Sequence, residues 1–397
     1  MSPTARATRT VRTGIERLLD DDRKLIGEGR VALVSNPASV DHRLRHSADL
    51  LAEDPDVNLV ALFGPQHGFR SDLQDNMIET PHGQDERRRV PVYSLYSETR
   101  EPTAEMLRDI DVLIIDLQDV GTRVYTYVYT MANCMRAAAR HGVRVVVCDR
   151  PNPVGGLAVE GATLRPEYSS FVGQFPIPLR HGLTIGEIAR LFNQEFSIGA
   201  ALDVVPIDGW TRDMYFDATG LPWVIPSPNL PTLDSTIVYP GAVLFEGTML
   251  SEGRGTTRPF ELIGAPWIDG ERLAAAMNAR GLRGVHFRAA FFEPTFQKHA
   301  RQTCGGCQLH VTDREAFQPV RVAVELIEEF RRQNPPAFAW RQPPYEYEHD
   351  KWPIDILYGS DRLRTTIDRG EDLGLLIASW TEDEEAFRRT RERYLMY

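Results

Sequence analysis

The sequence has few cysteines, no long hydrophobic run and no excess of positive charge. Four cysteines among 397 residues are too few for a disulfide-stabilised scaffold. No apolar run approaches the roughly 18 residues that a transmembrane helix needs, and the N-terminal segment lacks the apolar core of a secretory signal. The formal net charge of −11 disfavours nucleic acid and membrane surfaces as partners. We therefore expect a cytoplasmic globular protein.

Several motifs of nucleotide-binding and hydrolytic enzymes are also missing. Without GxGxxG or GxxxxGK[ST], a dinucleotide or nucleotide site is not expected. Without GxSxG, a serine hydrolase of the usual α/β type is disfavoured. Cys304 and Cys307 form a CxxC pair, but no second pair completes a zinc site, and a strand-like segment follows where a redox motif would open a helix. The sequence thus implies neither a metal nor an organic cofactor.

Short β-rich segments alternate with helical segments through the first half of the chain. Continuous apolar strands separated by helices are typical of a parallel sheet that is covered on both faces. We therefore predict an α/β fold with a Rossmann-like, mostly parallel sheet. The predicted strands are 30–35, 58–63, 90–95, 111–117, 143–148 and 202–206. The predicted helices are 13–25, 48–53, 103–108, 127–141 and 184–196.

The second half of the chain is richer in loops and predicts a smaller α+β domain. A chain of 397 residues is too long for one ordinary core. We therefore expect two domains, 10–235 and 236–397. In the second, the predicted strands are near 286–291 and 308–312, and the predicted helices are 320–332 and 382–393.

Polar loops that contain glycine or proline follow several of the predicted strands. Ligands of such sheets bind beyond the carboxyl ends of the strands, so these loops are site candidates. The candidates in or beside them are Gln66, His67, Arg70, Asp116, Asp119, Arg123, Tyr125 and Asn152, with His181 ahead of a predicted helix. Each has a structural alternative: a loop histidine is often only a hydrogen-bonding group, and Arg123 could clamp a carboxylate or form a surface ion pair.

The segment 221–267 is predicted to be an ordered loop that walls a polar small-molecule site. It is rich in proline and glycine and carries Glu246, Glu252 and Arg254. Long ordered loops in compact proteins usually serve a function. Glycosidic cleavage needs a proton donor with a raised pKa and usually a second carboxylate, which these glutamates could supply. Alternatively, Glu252 pairs with Arg254 or Arg258 and only orders the loop.

Strings throughout the sequence resemble the NamZ-type exo-β-N-acetylmuramidases of bacterial cell-wall recycling. Among them are FGPQHGFR, DLQDVGTRVYTY, WVIPSPNLPT, YPGAVLFEGT and SEGRGTTRPFELIGAPW, and the resemblance covers about 14–344. It implies a Rossmann-like domain without nucleotide, a smaller C-terminal domain and an active site in the cleft between them. It also implies removal of terminal N-acetylmuramic acid from peptidoglycan fragments.

One position departs from the pattern of this family. Many relatives have GPEHG, with glutamate as the favoured catalytic carboxylate, whereas this chain has Gln66. A neutral amide can neither donate a proton as an acid nor attack as a carboxylate. The nearby string with Asp75 and Glu79 differs as well. We therefore expect Glu79, Glu246 or Glu252 to be the acid, unless the substrate or reaction has changed or the substrate's acetamido group is the nucleophile.

Two functional hypotheses follow from the resemblance and its departure. In the first, the protein is a glycosidase in which His67 and Glu246 or Glu252 handle protons, and Arg123 or Arg254 holds the lactyl carboxylate. The expected ligands of hydroxyl or acetamide groups are Asp119, Asn152, Asn229 and Thr256. In the second, it binds an amino sugar or muropeptide after losing catalysis at Gln66, or it cleaves a different glycoside. A homodimer is compatible with both hypotheses.

Overall fold

The computed structural model describes residues 11–74 and 77–397, so Asp75 lies outside the described residues. The larger sheet of these residues contains β1 (Arg30–Ser35), β2 (Asn58–Gly64), β3 (Gly83–Asp85), β4 (Val90–Ser94), β5 (Val112–Asp116), β6 (Arg144–Cys148) and β7 (Leu202–Val205). Their spatial order is β3-β4-β2-β1-β5-β6-β7, and β3 pairs antiparallel to β4 while the other pairs are parallel. The predicted mostly parallel α/β sheet is confirmed.

Helices cover both faces of this sheet, because its strands carry apolar side chains on both sides. On one face, Ile15 and Leu51 pack in a cluster with Leu33. On the other face, Val128 and Ile188 belong to the cluster that contains Val34. These helices are α1 (Gly14–Asp20), α2 (Ser47–Glu53), α3 (Ala104–Leu107), α4 (Tyr127–His141) and α5 (Ile185–Glu195). Burial of both faces explains why the strands read as continuous apolar runs.

Local sequence signals set the ends of two of these helices. Thr184 caps α5: its backbone N–H donates to the Glu187 carboxylate at 3.0 Å, and its hydroxyl accepts from the Glu187 backbone N–H at 3.3 Å. This reciprocal pair satisfies two backbone donors at the helix start. At the C-terminal end of α4, Gly142 has φ 69°, a left-handed conformation that glycine adopts without a steric penalty.

The second half forms a smaller α+β unit, as the sequence predicts. Its sheet has the order β8-β10-β9 and is antiparallel, with β8 (Leu262–Ala265), β9 (Val285–Phe292) and β10 (Cys304–Val311). Its first three helices are α6 (Leu233–Ala242), α7 (Gly270–Ala279) and α8 (Pro319–Gln333). They are followed by α9 (Pro353–Tyr358), α10 (Arg362–Arg369), α11 (Leu373–Ala378) and α12 (Trp380–Arg391). Within the described ranges, no helix is long and apolar enough to cross a membrane.

Several local predictions are wrong. The segment 221–267 contains α6 and a 3₁₀ helix at Val243–Gly247, although its prolines suggested a loop throughout. Pro240 lies in the last turn of α6, where it removes one backbone N–H, and the chain tightens into the 3₁₀ helix directly afterwards. The predicted helix 13–25 is split between α1 and a 3₁₀ turn at Arg23–Leu25. The short elements β3, α9, α10 and α11 were missed, since segments this short carry little periodic signal.

One hydrophobic cluster continues from the larger sheet into the second half of the chain. It joins Val34 and Val128 to Phe245, Leu326 and Ile354. The second half therefore packs firmly against the first, and its 3₁₀ helix and α9 lie beside the carboxyl edge of the larger sheet. This packing brings two distant parts of the sequence together at that edge.

Candidate active site

A pocket lies at the carboxyl edge of the larger sheet, where the second half packs against it. It encloses about 500 Å³ of space, which includes open solvent at its mouth. Its polar lining from the first half consists of Gln66, His67, Thr126, Ser227 and Asn229, beside Tyr125 and Tyr127. Its polar lining from the second half consists of Tyr239, Glu246, Arg254, Tyr345 and Glu346.

The parallel strands explain why these first-half residues meet. Gln66 follows β2, Tyr96 follows β4, and Thr126 ends the loop between β5 and α4. The carboxyl ends of parallel strands share one edge, so side chains from three loops converge there. The segment 221–267 is fixed over this edge because the carbonyl oxygen of Pro226 accepts from Asn36 Nδ2 at 3.0 Å and from the Tyr127 hydroxyl at 3.1 Å.

Glu246 is the ionised carboxylate of the pocket. It lies in the 3₁₀ helix and is buried, with 3 % of its surface exposed. Arg254 Nη2 donates to its Oε1 at 2.7 Å, and the Tyr345 hydroxyl donates to its Oε2 at 2.6 Å. Burial alone would raise the pKa of Glu246, but the Arg254 charge and these two hydrogen bonds outweigh it and lower the pKa. Glu246 is therefore suited to hold negative charge rather than to donate a proton.

Glu252 is buried in an ion-pair chain behind the pocket wall. Its Oε1 lies 3.3 Å from Arg254 Nε and its Oε2 lies 2.7 Å from Lys298 Nζ. The same ammonium group donates to the backbone carbonyls of Phe245, Thr248 and Leu250. Because both oxygens face cations, the geometry favours the alternative in which Glu252 orders the loop.

Gln66 is held in one orientation by partners on both ends of its amide. Its Oε1 accepts from the Thr126 hydroxyl at 2.8 Å. Its Nε2 lies 3.2 Å from the Tyr96 hydroxyl and 3.2 Å from Oε1 of Glu346. An amide at this position can donate to a carboxyl group, which a carboxylate could not do.

Glu346 is a buried carboxyl group that the sequence reasoning missed. It lies in a tight turn between Tyr345 and Glu348, whose backbone groups exchange hydrogen bonds at 2.9 Å. The Tyr96 hydroxyl donates to Oε2 of Glu346 at 2.8 Å. The signal available in the sequence was weak: a YEYE string directly after a proline-rich connection, 280 positions from Gln66.

His67 lines the pocket as a neutral imidazole. Its Nδ1 donates to the carbonyl oxygen of Leu73 at 2.7 Å, which leaves Nε2 as the acceptor nitrogen. Burial lowers its pKa to about 4, and the nearby Arg254 charge acts in the same direction. At neutral pH, His67 can therefore accept a hydrogen bond or a proton but has none to donate from Nε2.

Most of the other predicted residues lie outside the pocket lining and stabilise the scaffold. Arg123 is buried and donates to the carbonyls of Ala162, Ile177 and Leu357. The remaining buried contacts are Asp116 with Arg150 at 2.6 Å, Asp119 with His181 at 3.4 Å, and Asn152 with the Leu183 carbonyl at 2.9 Å.

Three further candidates occupy the surroundings of the pocket. Glu79 is exposed and lies 3.4 Å from Arg100, whose guanidinium group stacks on the Tyr96 ring at 4.2 Å. Arg70 is exposed, and Thr256 hydrogen bonds to the Gly253 carbonyl within its own loop. Of the predicted residues, the structure thus brings together Gln66, His67, Tyr125, Asn229, Glu246 and Arg254. Among residues 11–74 and 77–397, no cluster of three His, Cys, Asp or Glu side chains could hold a metal ion.

Comparison with known proteins gives the same relationship over both halves of the chain. The family models described as exo-β-N-acetylmuramidase NamZ, N-terminal and C-terminal, match residues 31–234 and 237–397. Peptidoglycan β-N-acetylmuramidase NamZ of Bacillus subtilis (strain 168) is 49% identical over 387 residues, which covers 98% of this chain and 91% of the relative.

Two crystal structures from Bacteroides fragilis NCTC 9343, both described as DUF1343 family proteins, share the fold. One is 36% identical with a TM-score of 0.89, and the other is 29% identical with a TM-score of 0.77. Each comparison covers 98% of this chain and 99% of the solved chain. The expected resemblance is confirmed, and the chain belongs to the NamZ family of exo-β-N-acetylmuramidases.

Proposed function

We propose that this protein is an exo-acting glycoside hydrolase that removes a terminal β-linked N-acetylmuramic acid from peptidoglycan fragments. The observation that carries the proposal is the pair of buried glutamates, Glu246 and Glu346, that line one pocket at the carboxyl edge of the sheet. Paired carboxyl groups are the usual machinery of glycosidic cleavage. The Bacillus subtilis relative, a peptidoglycan β-N-acetylmuramidase at 49% identity, supports peptidoglycan as the substrate class.

In this proposal Glu246 stabilises the transition state. Cleavage of a glycosidic bond passes through an oxocarbenium-like state, in which positive charge develops at the anomeric carbon. A carboxylate that stays ionised because Arg254 and Tyr345 hold it is pre-organised to meet that charge. His67 offers a neutral acceptor nitrogen on the same pocket wall and is suited to orient water or a sugar hydroxyl.

The remaining lining suits an acidic amino sugar. Arg254 is the guanidinium group placed to attract the lactyl carboxylate of N-acetylmuramic acid. Asn229 and Ser227 supply hydrogen bonds for hydroxyl or acetamide groups, and Tyr125 supplies an aromatic surface. Arg123 is dropped from this role, because it lies outside the pocket lining and donates to three backbone carbonyls there.

We also propose that domains 10–235 and 236–397 form the cleft that binds the substrate. The family models divide the chain close to this boundary, and the polar lining comes from both sides of it. A cytoplasmic location is supported by the four cysteines, which are all free and buried, as is usual in a reducing compartment. We also propose a homodimer, and the molar mass measured by light scattering tests it.

Turnover of a chromogenic β-N-acetylmuraminide, beside the matching N-acetylglucosaminide, tests the function. Wild type is expected to release chromophore from the muraminide only, because the lactyl carboxylate is the group that Arg254 recognises. Glu246→Gln is expected to lower kcat/KM by about 100-fold or more, since it removes the charge that stabilises the transition state. Glu271→Gln, an exposed position on α7, is the matched control and is expected to match wild type.

The same assay separates hydrolysis from binding. Calorimetric binding of muropeptides without release of either chromophore, with turnover gained in Gln66→Glu, would instead establish a binding protein. Equal release of both sugars would contradict the specificity assigned to Arg254.

A further inference from the structure

Glu346 occupies an unusual backbone position at the pocket. Glu346 and Tyr347, the two central residues of the turn, have φ 45° and 68°. Non-glycine residues in this left-handed region are strained and persist where the surroundings hold them. The turn aims the Glu346 side chain into the pocket, where 2 % of its surface remains exposed. A strained, buried carboxyl group in a pocket points to a function.

Two neutral hydrogen-bonding groups fix this carboxyl group. Gln66 Nε2 approaches Oε1 at 3.2 Å, and the Tyr96 hydroxyl approaches Oε2 at 2.8 Å. These contacts use two of the roughly four lone-pair positions of a carboxyl group. The group is therefore oriented by the protein and still has room to bond to a ligand. The surroundings differ from those of Glu246 and Glu252, which lie directly against cationic side chains.

We propose that Glu346 is the general acid, which protonates the oxygen of the scissile glycosidic bond; this inference rests on the proposed function. The bond between the anomeric carbon and that oxygen breaks while the Glu346 proton moves to the leaving oxygen. Water then adds to the anomeric carbon, and its proton returns to Glu346. The products are free N-acetylmuramic acid and the shortened fragment with a new hydroxyl group.

The electrostatic surroundings favour the protonated form of Glu346 more than water does. Burial raises its pKa, and the negative charge of Glu246 adds to the rise, whereas the hydrogen bonds from Tyr96 and Gln66 and the Arg254 charge oppose it. The pKa of Tyr96 is itself raised by burial and by Glu346, so it stays a neutral phenol. His67 is neutral as described. Two nearby glutamates with pKa values shifted in opposite directions are the arrangement that separates an acid from a charged partner.

The dependence of rate on the leaving group tests this role. Glu346→Gln is expected to lower kcat/KM for a β-N-acetylmuraminyl-(1→4)-N-acetylglucosamine disaccharide by about 100- to 10,000-fold, the usual contribution of a general acid. Its turnover of a 2,4-dinitrophenyl β-N-acetylmuraminide should change little, because dinitrophenolate departs without protonation. Glu348→Gln, in the same turn and paired with Lys351 at 3.6 Å, is the matched control and should resemble wild type on both substrates.

The pH profile of the wild type gives a second readout that does not depend on the variant's folding. Activity on the disaccharide should fall on the alkaline side as Glu346 loses its proton, and this fall should be absent with the dinitrophenyl substrate. Equal losses of both activities in a folded Glu346→Gln, or disaccharide turnover that survives it, would overturn the proposal. If wild type cleaves neither muraminide, the proposed function itself has failed and the assignment of Glu346 falls with it.

Discussion

At the residue scale, a buried chain of alternating charges sets the pocket wall. Glu246 pairs with Arg254, Arg254 with Glu252, and Glu252 with Lys298. The ammonium group of Lys298 also donates hydrogen bonds to three backbone carbonyls around the 3₁₀ helix that carries Glu246. Glu246 keeps its position because each charge behind it has a partner, so a side chain far from the substrate governs the geometry of the site.

Lys298→Met tests that dependence. The substitution leaves the Glu252 carboxylate buried without its cation, and removal of one partner of a buried pair costs about 3–5 kcal/mol. The free energy of unfolding, measured in urea, is expected to fall by that amount. The double variant Lys298→Met/Glu252→Gln should recover part of the loss because no buried charge is stranded. A single variant as stable as wild type would show that the chain of charges does not hold this wall.

At the element scale, the segment after α12 locks the first turn of α5 onto the larger sheet. The Tyr397 hydroxyl donates to Oδ2 of Asp149, just after β6, and accepts from the Ile207 backbone N–H, both at 2.7 Å. The Met396 backbone N–H donates to Glu187 in the first turn of α5 at 2.9 Å. One short segment thus satisfies buried polar groups of a strand end, a loop and a helix.

Tyr397→Phe should weaken this lock without changing the pocket. The variant leaves the buried Ile207 N–H without its acceptor, which costs about 1–3 kcal/mol. Thermal unfolding should report the loss, with kcat/KM unchanged. Tyr394→Phe is the comparison: its hydroxyl bonds to Glu195, whose side chain is 26% exposed, so water can replace the bond at a cost of about 0.5 kcal/mol or less. Equal effects of the two variants would contradict the assigned lock.

At the scale of the whole molecule, the sequence predicted the alternating strands and helices of the larger sheet. Apolar runs between helices identified the parallel sheet, and the loops after β2 and β5 brought Gln66, His67 and Tyr125 to the pocket. Helix α6 was missed because the prolines around it and Pro240 within it were interpreted as loop signals, although Pro240 lies inside the helix. The spacing of apolar residues shows which face of a segment is buried, but it does not show which distant segment packs against that face.

The carboxyl group beside Gln66 shows that limit most clearly. Glu346 reaches Gln66 across 280 positions of sequence, because α9 packs against the 3₁₀ helix at Val243–Gly247 and both share a hydrophobic cluster with the larger sheet. No local pattern encodes that meeting. The amide at Gln66, which in sequence suggested a lost carboxylate, is in space the hydrogen-bond donor to another carboxyl group. The departure from the family pattern thus acquires a chemical reason only in three dimensions.

Arg123 links the two halves of the chain by hydrogen bonds. Its guanidinium group is buried, and it joins the carbonyls of Ala162 and Ile177 in the first half to that of Leu357 in α9. Burial lowers its pKa to about 10, so it remains charged at neutral pH and its donors remain available. Arg123→Met strands three carbonyls and is expected to lower the free energy of unfolding by about 3 kcal/mol, at about 1 kcal/mol for each lost bond.

Because one hydrophobic cluster spans both halves, the loss from Arg123→Met should displace a single urea transition seen equally by tryptophan fluorescence and circular dichroism. KM for the muraminide should stay at the wild-type value, since the side chain lies behind the pocket. Arg140→Met, an exposed arginine on α4 paired with Glu101, should leave both stability and KM unchanged. A raised KM at unchanged stability would indicate instead that Arg123 binds the substrate carboxylate. Two separate transitions would show that the halves fold independently.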